Sequence, residues 1–143
     1  MRQLVLRNVL VATDFTDESA GAVQAAAALA GLAGARLHVV HAARPGERDV
    51  EARLREHVAR LSPEAGEAAT MAPPGAPEEV ILQAAERTRA DVIVLGPHRR
   101  RGGGALGSTA DRVVRGAEVP CLIVPRALEL PLRRVVAAID LSD

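Results

Sequence analysis

The chain has 143 residues, a length that fits one domain, and its 48% hydrophobic and 25% charged residues are those of a globular chain rather than a disordered one. Eighteen Arg balance eighteen Asp and Glu with no Lys, which excludes a generally basic nucleic-acid binder, and Phe15, the sole Phe, Tyr or Trp, excludes an aromatic stacking platform for single strands. The single cysteine, Cys121, excludes an intrachain disulfide and nearly excludes Cys-based zinc sites.

Residues 8–13 (NVLVAT) are a short apolar run of β type, broken by Asp14, Phe15, Thr16 and Asp17. A helix is expected over 18–33, with Asp17 or Thr16 as its N-cap and Gly34 as its stop. Residues 36–41 read as the second strand, and Arg44, Pro45 and Gly46 as a turn. Over 47–61, Val50, Leu54, Val58 and Leu61 recur at spacings of four, four and three, the pattern of an amphipathic helix. Ser62 and Pro63 end it. Residues 68–72 form a weaker strand. Pro73, Pro74 and Gly75 continue neither strand nor helix, and Pro77 suits a first helical position. Glu78 and Glu79 then sit in the first turn, where the helix dipole favours acids, and that helix runs to about Arg89. Residues 91–95 (DVIVL) carry four consecutive apolar side chains, which points to a strand buried on both faces. Residues 96–107 form a loop rich in Arg and Gly. A short helix follows over 108–115, started by Ser108 and ended by Gly116, and 120–124 is the last strand.

Strands and helices alternate, which implies a parallel sheet with helices on both faces and few allowed topologies. In such sheets ligands bind beyond the carboxyl ends of the strands, where the strand order switches. No apolar stretch approaches the roughly 20 residues of a membrane helix, and the run at 9–12 is too short for a signal-peptide core. A cytoplasmic protein with no membrane partner is expected.

One repeat stands out. Residues 6–17 (LRNVLVATDFTD) and 132–143 (LRRVVAAIDLSD) are identical at six of twelve positions, at an offset of 126. The polar tail of the match, D-x-[ST]-D, favours a true second copy over two similar amphiphilic strands. The expected organisation is therefore a domain over 1–126, then a linker and the first strand of a truncated copy over 127–143. Residues 134–139 are expected to form a strand equivalent to 8–13, with Asp140 and Asp143 as copies of Asp14 and Asp17.

A phosphate site is legible in the loop before the last helix. Gly-rich backbone followed by a helix start at Ser108 offers free N–H groups at a positive dipole end. Arg99, Arg100 and Arg101 bring guanidinium groups, which suit phosphate oxygens bidentately, and His98 adds a donor. A solvated basic loop before a capped helix is the alternative. His38 and His41 lie an odd number of residues apart on one strand, so they cannot chelate a metal together. His57, among charges on its helix, reads as solvated or structural. Cys121 reads as a small hydrophobe in an apolar strand.

Six segments in order, VLVATDFTD (9–17), LHVVH (37–41), GAP (75–77), DVIVLGPH (91–98), GSTADRVV (107–114) and VPCLIV (119–124), resemble the universal stress protein family. The resemblance implies a Rossmann-like three-layer sandwich with a five-stranded parallel sheet. It also implies a non-enzymatic stress-response module that holds ATP or AMP at the rim of strands 1 and 4 and acts through its assembly. The family's nucleotide-binding branch carries G-x2-G-x9-G-[ST] after the fourth strand. Here Gly96 matches the first glycine and Gly107 with Ser108 the last pair. Arg99 stands at the second glycine, and seven residues rather than nine separate it from Gly107. Residues 102–104, all glycine, offer backbone freedom in the same loop. By carry-over, Ala12, Thr13 and Asp14 line the base and ribose, Ala42 bonds adenine through its backbone, and Thr109 joins the phosphate end. Asp14 could share Mg²⁺ with the phosphates. The resemblance also implies a homodimer, or a pseudo-dimer in a tandem parent, through the edge strand at 119–124. The departures from the glycine motif leave a structural or interaction member without nucleotide as the alternative.

Overall fold

The runs at 9–12, 37–40 and 92–95, apolar but for His38, become the three inner strands of one sheet, because residues apolar on both faces need cover from both sides. The computed structural model describes residues 5–65, 67–97, 107–125 and 128–138. Its elements are β1 (Asn8–Ala12), α1 (Asp17–Ala33), β2 (Arg36–Val40), α2 (Val50–Leu61), a 3-10 turn (Pro63–Ala65), β3 (Ala69–Met71), α3 (Pro77–Thr88), β4 (Val92–Leu95), α4 (Ser108–Gly116) and β5 (Cys121–Ile123). The five strands are parallel, in the order β3-β2-β1-β4-β5. Val9 stands opposite Leu37 and Val92, and Val11 opposite Val39 and Val94. This is the expected Rossmann-like α/β sandwich.

Alternation along β1 splits the core in two. Val9 and Val11 face α1 and α2, meeting Ala22, Ala26, Leu54 and Val58. Leu10 faces the other way, toward Val80, Ile81 and Ala84 of α3 and Ala110 and Val113 of α4. Each fully buried Leu or Ile contributes about 1.5–3 kcal/mol of transfer free energy. The inner face of α1 is mostly alanine, so that helix packs through small side chains.

Local chemistry sets the boundaries. Thr16 caps α1 by accepting from the Ser19 N–H, and Gly34 closes it in the left-handed region at φ 64°. Asp91 fastens the start of β1 to β4: its Oδ2 accepts the N–H of Arg7 (2.7 Å) and of Asn8 (2.8 Å).

Two expectations are corrected. The second helix begins at Val50 rather than 47, because Asp49 takes a left-handed φ of 53° and the Glu47 carboxylate turns back onto its own loop. The tail over 134–138 forms no strand. Val135 is 76% and Val136 94% exposed, whereas their counterparts Val9 and Leu10 are fully buried. A strand of that pattern needs a neighbour on each side, and within this sheet β1 already fills the central place. Upstream, Leu128 packs against the α1–α2 core, and Leu130 lines a groove of about 820 Å³ beside Gly31, Gly34 and Leu61. Ile139, Asp140 and Asp143 lie outside the described residues.

Candidate functional site

The strand order reverses around β1 and β4. A pocket of about 300 Å³ lies at the carboxyl ends of β1, β2 and β4, at the small end of the range for small-molecule sites. Ala12, Thr13, Asp14, Ala42, Gly96 and Thr109, all expected at the site, line it together. Gly107 and Ser108 stand just behind, at the N-terminus of α4. His98 and Arg99 lie outside the described residues, as do Arg100, Arg101 and the glycines at 102–104.

Thr13 uses its polar atoms inward. Its N–H donates to the Val40 carbonyl (3.0 Å), and its carbonyl accepts from His41 Nδ1 (2.8 Å). Arg60 donates to His57 Nδ1 (3.1 Å), so the proton of the neutral His57 ring sits on Nε2 and points at Thr13 Oγ1 (3.4 Å). Oγ1 also accepts the Phe15 N–H (3.2 Å), which leaves its own proton for Ser19 Oγ (2.9 Å). Ser19 in turn donates to the Thr16 carbonyl (3.0 Å). A directed chain thus runs from Arg60 to Thr16 beneath the pocket floor. Thr13 offers a ligand surface rather than a hydroxyl donor. His57 is buried, the structural rather than the solvated of its two readings: its helix face is also that of Leu54 and Val58.

Asp14 both lines the pocket and braces its turn, accepting from the Thr16 N–H (3.1 Å) and hydroxyl (2.5 Å). That turn puts Phe15 in the left-handed region at φ 66°. Its ring packs 4.5 Å from His41 and 5.2 Å from His57, with Arg53 4.8 Å above. Gly96 permits the approach of β4 to α1, since a Cβ there would lie 3.0 Å from the Glu18 carbonyl oxygen.

Opposite, the β1–β2 ladder ends at Ala12 and Val40, so Ala42 reaches the pocket wall with its backbone beyond the last rung. On the β4 side, Gly107 precedes α4 without a side-chain cap, its own N–H held by the Pro97 carbonyl (3.0 Å). The first N–H groups of α4, at Ser108, Thr109 and Ala110, have no intrahelical acceptor and lie at the positive end of its dipole, where Thr109 and Ala110 face the pocket. The site pairs an anion-attracting end with a wall of strand backbone. Asp14 and Glu18 put two carboxylates on the rim, and among the described residues no group of three or more His, Cys, Asp or Glu could hold a metal. A divalent cation here would have to take most of its ligands from phosphates and water.

Sequence reasoning missed Ser19, His41, Arg44, Gly75, Pro77 and Ile81 as pocket residues. The position of His41, directly before Ala42 at a strand end, was the available signal. His38 stays structural, bonded to Asn8 Oδ1 (3.1 Å), with burial and then Arg36 lowering its pKa. Burial likewise raises the pKa of the half-buried Cys121 thiol, which disfavours the nucleophilic thiolate.

Comparison with known proteins follows the same outline. Residues 6–125 match the model of the universal stress protein family. The chain belongs to the universal stress protein family. A universal stress protein from Thermus aquaticus, in the 3′ region of QAH/OAS sulfhydrylase, is 36% identical, covering 84% of this chain and 99% of the relative. A solved universal stress protein in complex with cAMP superposes with a TM-score of 0.70 at 28% identity, covering 85% of this chain and 98% of the other. A universal stress protein from Archaeoglobus fulgidus DSM 4304 gives a TM-score of 0.67 at 27% identity over 86% of this chain, which spans 45% of that longer one.

Proposed function

We propose that this universal stress protein binds an adenine nucleotide, ATP or AMP, in the 300 Å³ pocket and acts in stress response through its assembly, without catalysing a reaction. The observation that carries this reading is the pairing of the open α4 N-terminus with the β2 backbone wall across one cavity at the switch in strand order. The relative solved with cAMP supports it. Ala12, Thr13, Asp14 and Ala42 take the base and ribose. Gly96, Gly107, Ser108 and Thr109 take the phosphates, with His98 and Arg99 from the intervening loop. Mg²⁺ enters shared between Asp14 and the phosphates. The protein works in the cytoplasm as a homodimer, or as half of a tandem pseudo-dimer, through its β5 edge.

Melting the protein with and without Mg-ATP, AMP and cAMP tests the reading. A ligand at a hundredfold excess over Kd stabilises the fold by about 2.7 kcal/mol, a visible shift. An unchanged melting curve with all three removes the nucleotide. Arg99 at the second glycine position and the shortened loop favour the second reading, an interaction module that binds no nucleotide.

A further inference from the structure

Glu47 lies outside the pocket, yet its carboxylate holds two pocket residues. Oε2 accepts the backbone N–H of Arg44 (3.0 Å) and faces His41 Nε2 (3.1 Å), while Oε1 accepts from Arg53 (3.2 Å). Arg44 and His41 both line the cavity, and Ala42 and Ala43 of the same wall lie between them. The other nitrogen of His41 is fixed on the Thr13 carbonyl. We propose that Glu47 is the positioning residue of the β2-side wall, tying the His41 ring and the backbone at Arg44 into one unit and so setting ligand affinity. The proposal rests on the nucleotide reading above.

Its chemistry is specific. Both ring nitrogens of His41 face acceptors, so only the doubly protonated ring donates to both. Loss of either proton turns one contact into two facing lone pairs. The charged and titratable groups around the ring are Glu47 on its own loop, Asp14 on the β1–α1 turn, and Arg53 and His57 on α2, the last two reaching it across Phe15. Glu47 stays a carboxylate through the ordinary pH range, its pKa lowered to about 2 by the Arg44 N–H, then by His41. The wall is therefore tightest with both contacts made, one of them supplied by Glu47.

Titration calorimetry with cAMP at one fixed pH near neutrality tests this. Glu47→Ala weakens binding roughly tenfold. In Glu47→Gln the amide oxygen still accepts from Arg44, so affinity stays within about threefold of wild type. Wild-type affinity in Glu47→Ala, or no recovery in Glu47→Gln, overturns the proposal. If wild type binds no cAMP, the nucleotide reading fails there, and the ligand-free protein decides the positioning claim. Faster exchange of the Arg44 amide and shifted His41 ring ¹⁵N resonances in Glu47→Ala uphold it, and unchanged spectra refute it.

Discussion

His57 accepts from Arg60 and donates to Thr13, a pattern that only the neutral ring satisfies. Burial, then the Arg60 charge, lowers its pKa below 6.5. The unfolded chain therefore takes up a proton before the folded one does, and stability contributed above pH 6.5 is lost as pH falls below it. The urea midpoint should drop between about pH 7.5 and about pH 5, and drop less in His57→Gln. His38 shifts in the same direction, so the difference between the two proteins isolates His57. Parallel pH curves would show that the ring has no such role. The sequence held a clue here, since His57 sits three residues after Leu54 and four before Leu61. Charged neighbours in sequence masked it, because a helix places neighbours on different faces. The inward hydroxyl of Thr13 had no comparable signal: its partners come from the β1–α1 turn, α1 and α2.

Elements carried more of the pattern. Strands apolar on both faces announced the parallel sheet, and Pro77, Thr16 and Gly34 marked helix ends through fixed backbone angles and caps. The start of α2 was not legible, because Glu47 continues a helical pattern in sequence while its carboxylate bonds backward to Arg44. At α4, the uncapped first turn leads to a direct expectation. Ser108→Ala should weaken ATP binding severalfold, and Gly107→Val should abolish it, since Gly107 is buried where a ligand's phosphates would approach backbone. Unchanged calorimetric affinity in both variants would remove this turn from the site. At the sheet edge, Val124 donates to Leu95, so by alternation the N–H groups of Cys121 and Ile123 point away from β4. Those groups can pair with another chain. Light scattering at tens of micromolar should give a dimer, and Cys121→Pro, which removes one outward donor, should shift it toward monomer. A monomeric wild type would refute the edge.

For the whole molecule, the tail is where sequence and structure part. The repeat at 132–143 has the composition of a central strand, but composition cannot supply the two neighbours such a strand needs. Leu132, Val135 and Val136 stay exposed, and Leu128 and Leu130 are anchored on the α1–α2 side, away from the candidate pocket. We propose that this segment belongs to a second copy of the domain. Deleting 127–143 should leave ATP affinity unchanged and alter association or solubility, read by calorimetry and light scattering. A loss of nucleotide binding on deletion would make the tail part of the site and end that reading.

The central place of β1 has a consequence for how the chain is made. Asn8–Ala12 leaves the ribosome before the other strands of its sheet, yet one of its two neighbours is β4, and the carboxylate that clasps Arg7 is 84 residues downstream. At about 5–20 residues per second, synthesis takes roughly 4–17 s to deliver that partner. Until then Val9, Leu10 and Val11 present one open flank to the cell. The nascent N-terminal half should thus be a chaperone client, and its pairing with β4 a late event that closes the sheet and brings together the two strands that rim the pocket.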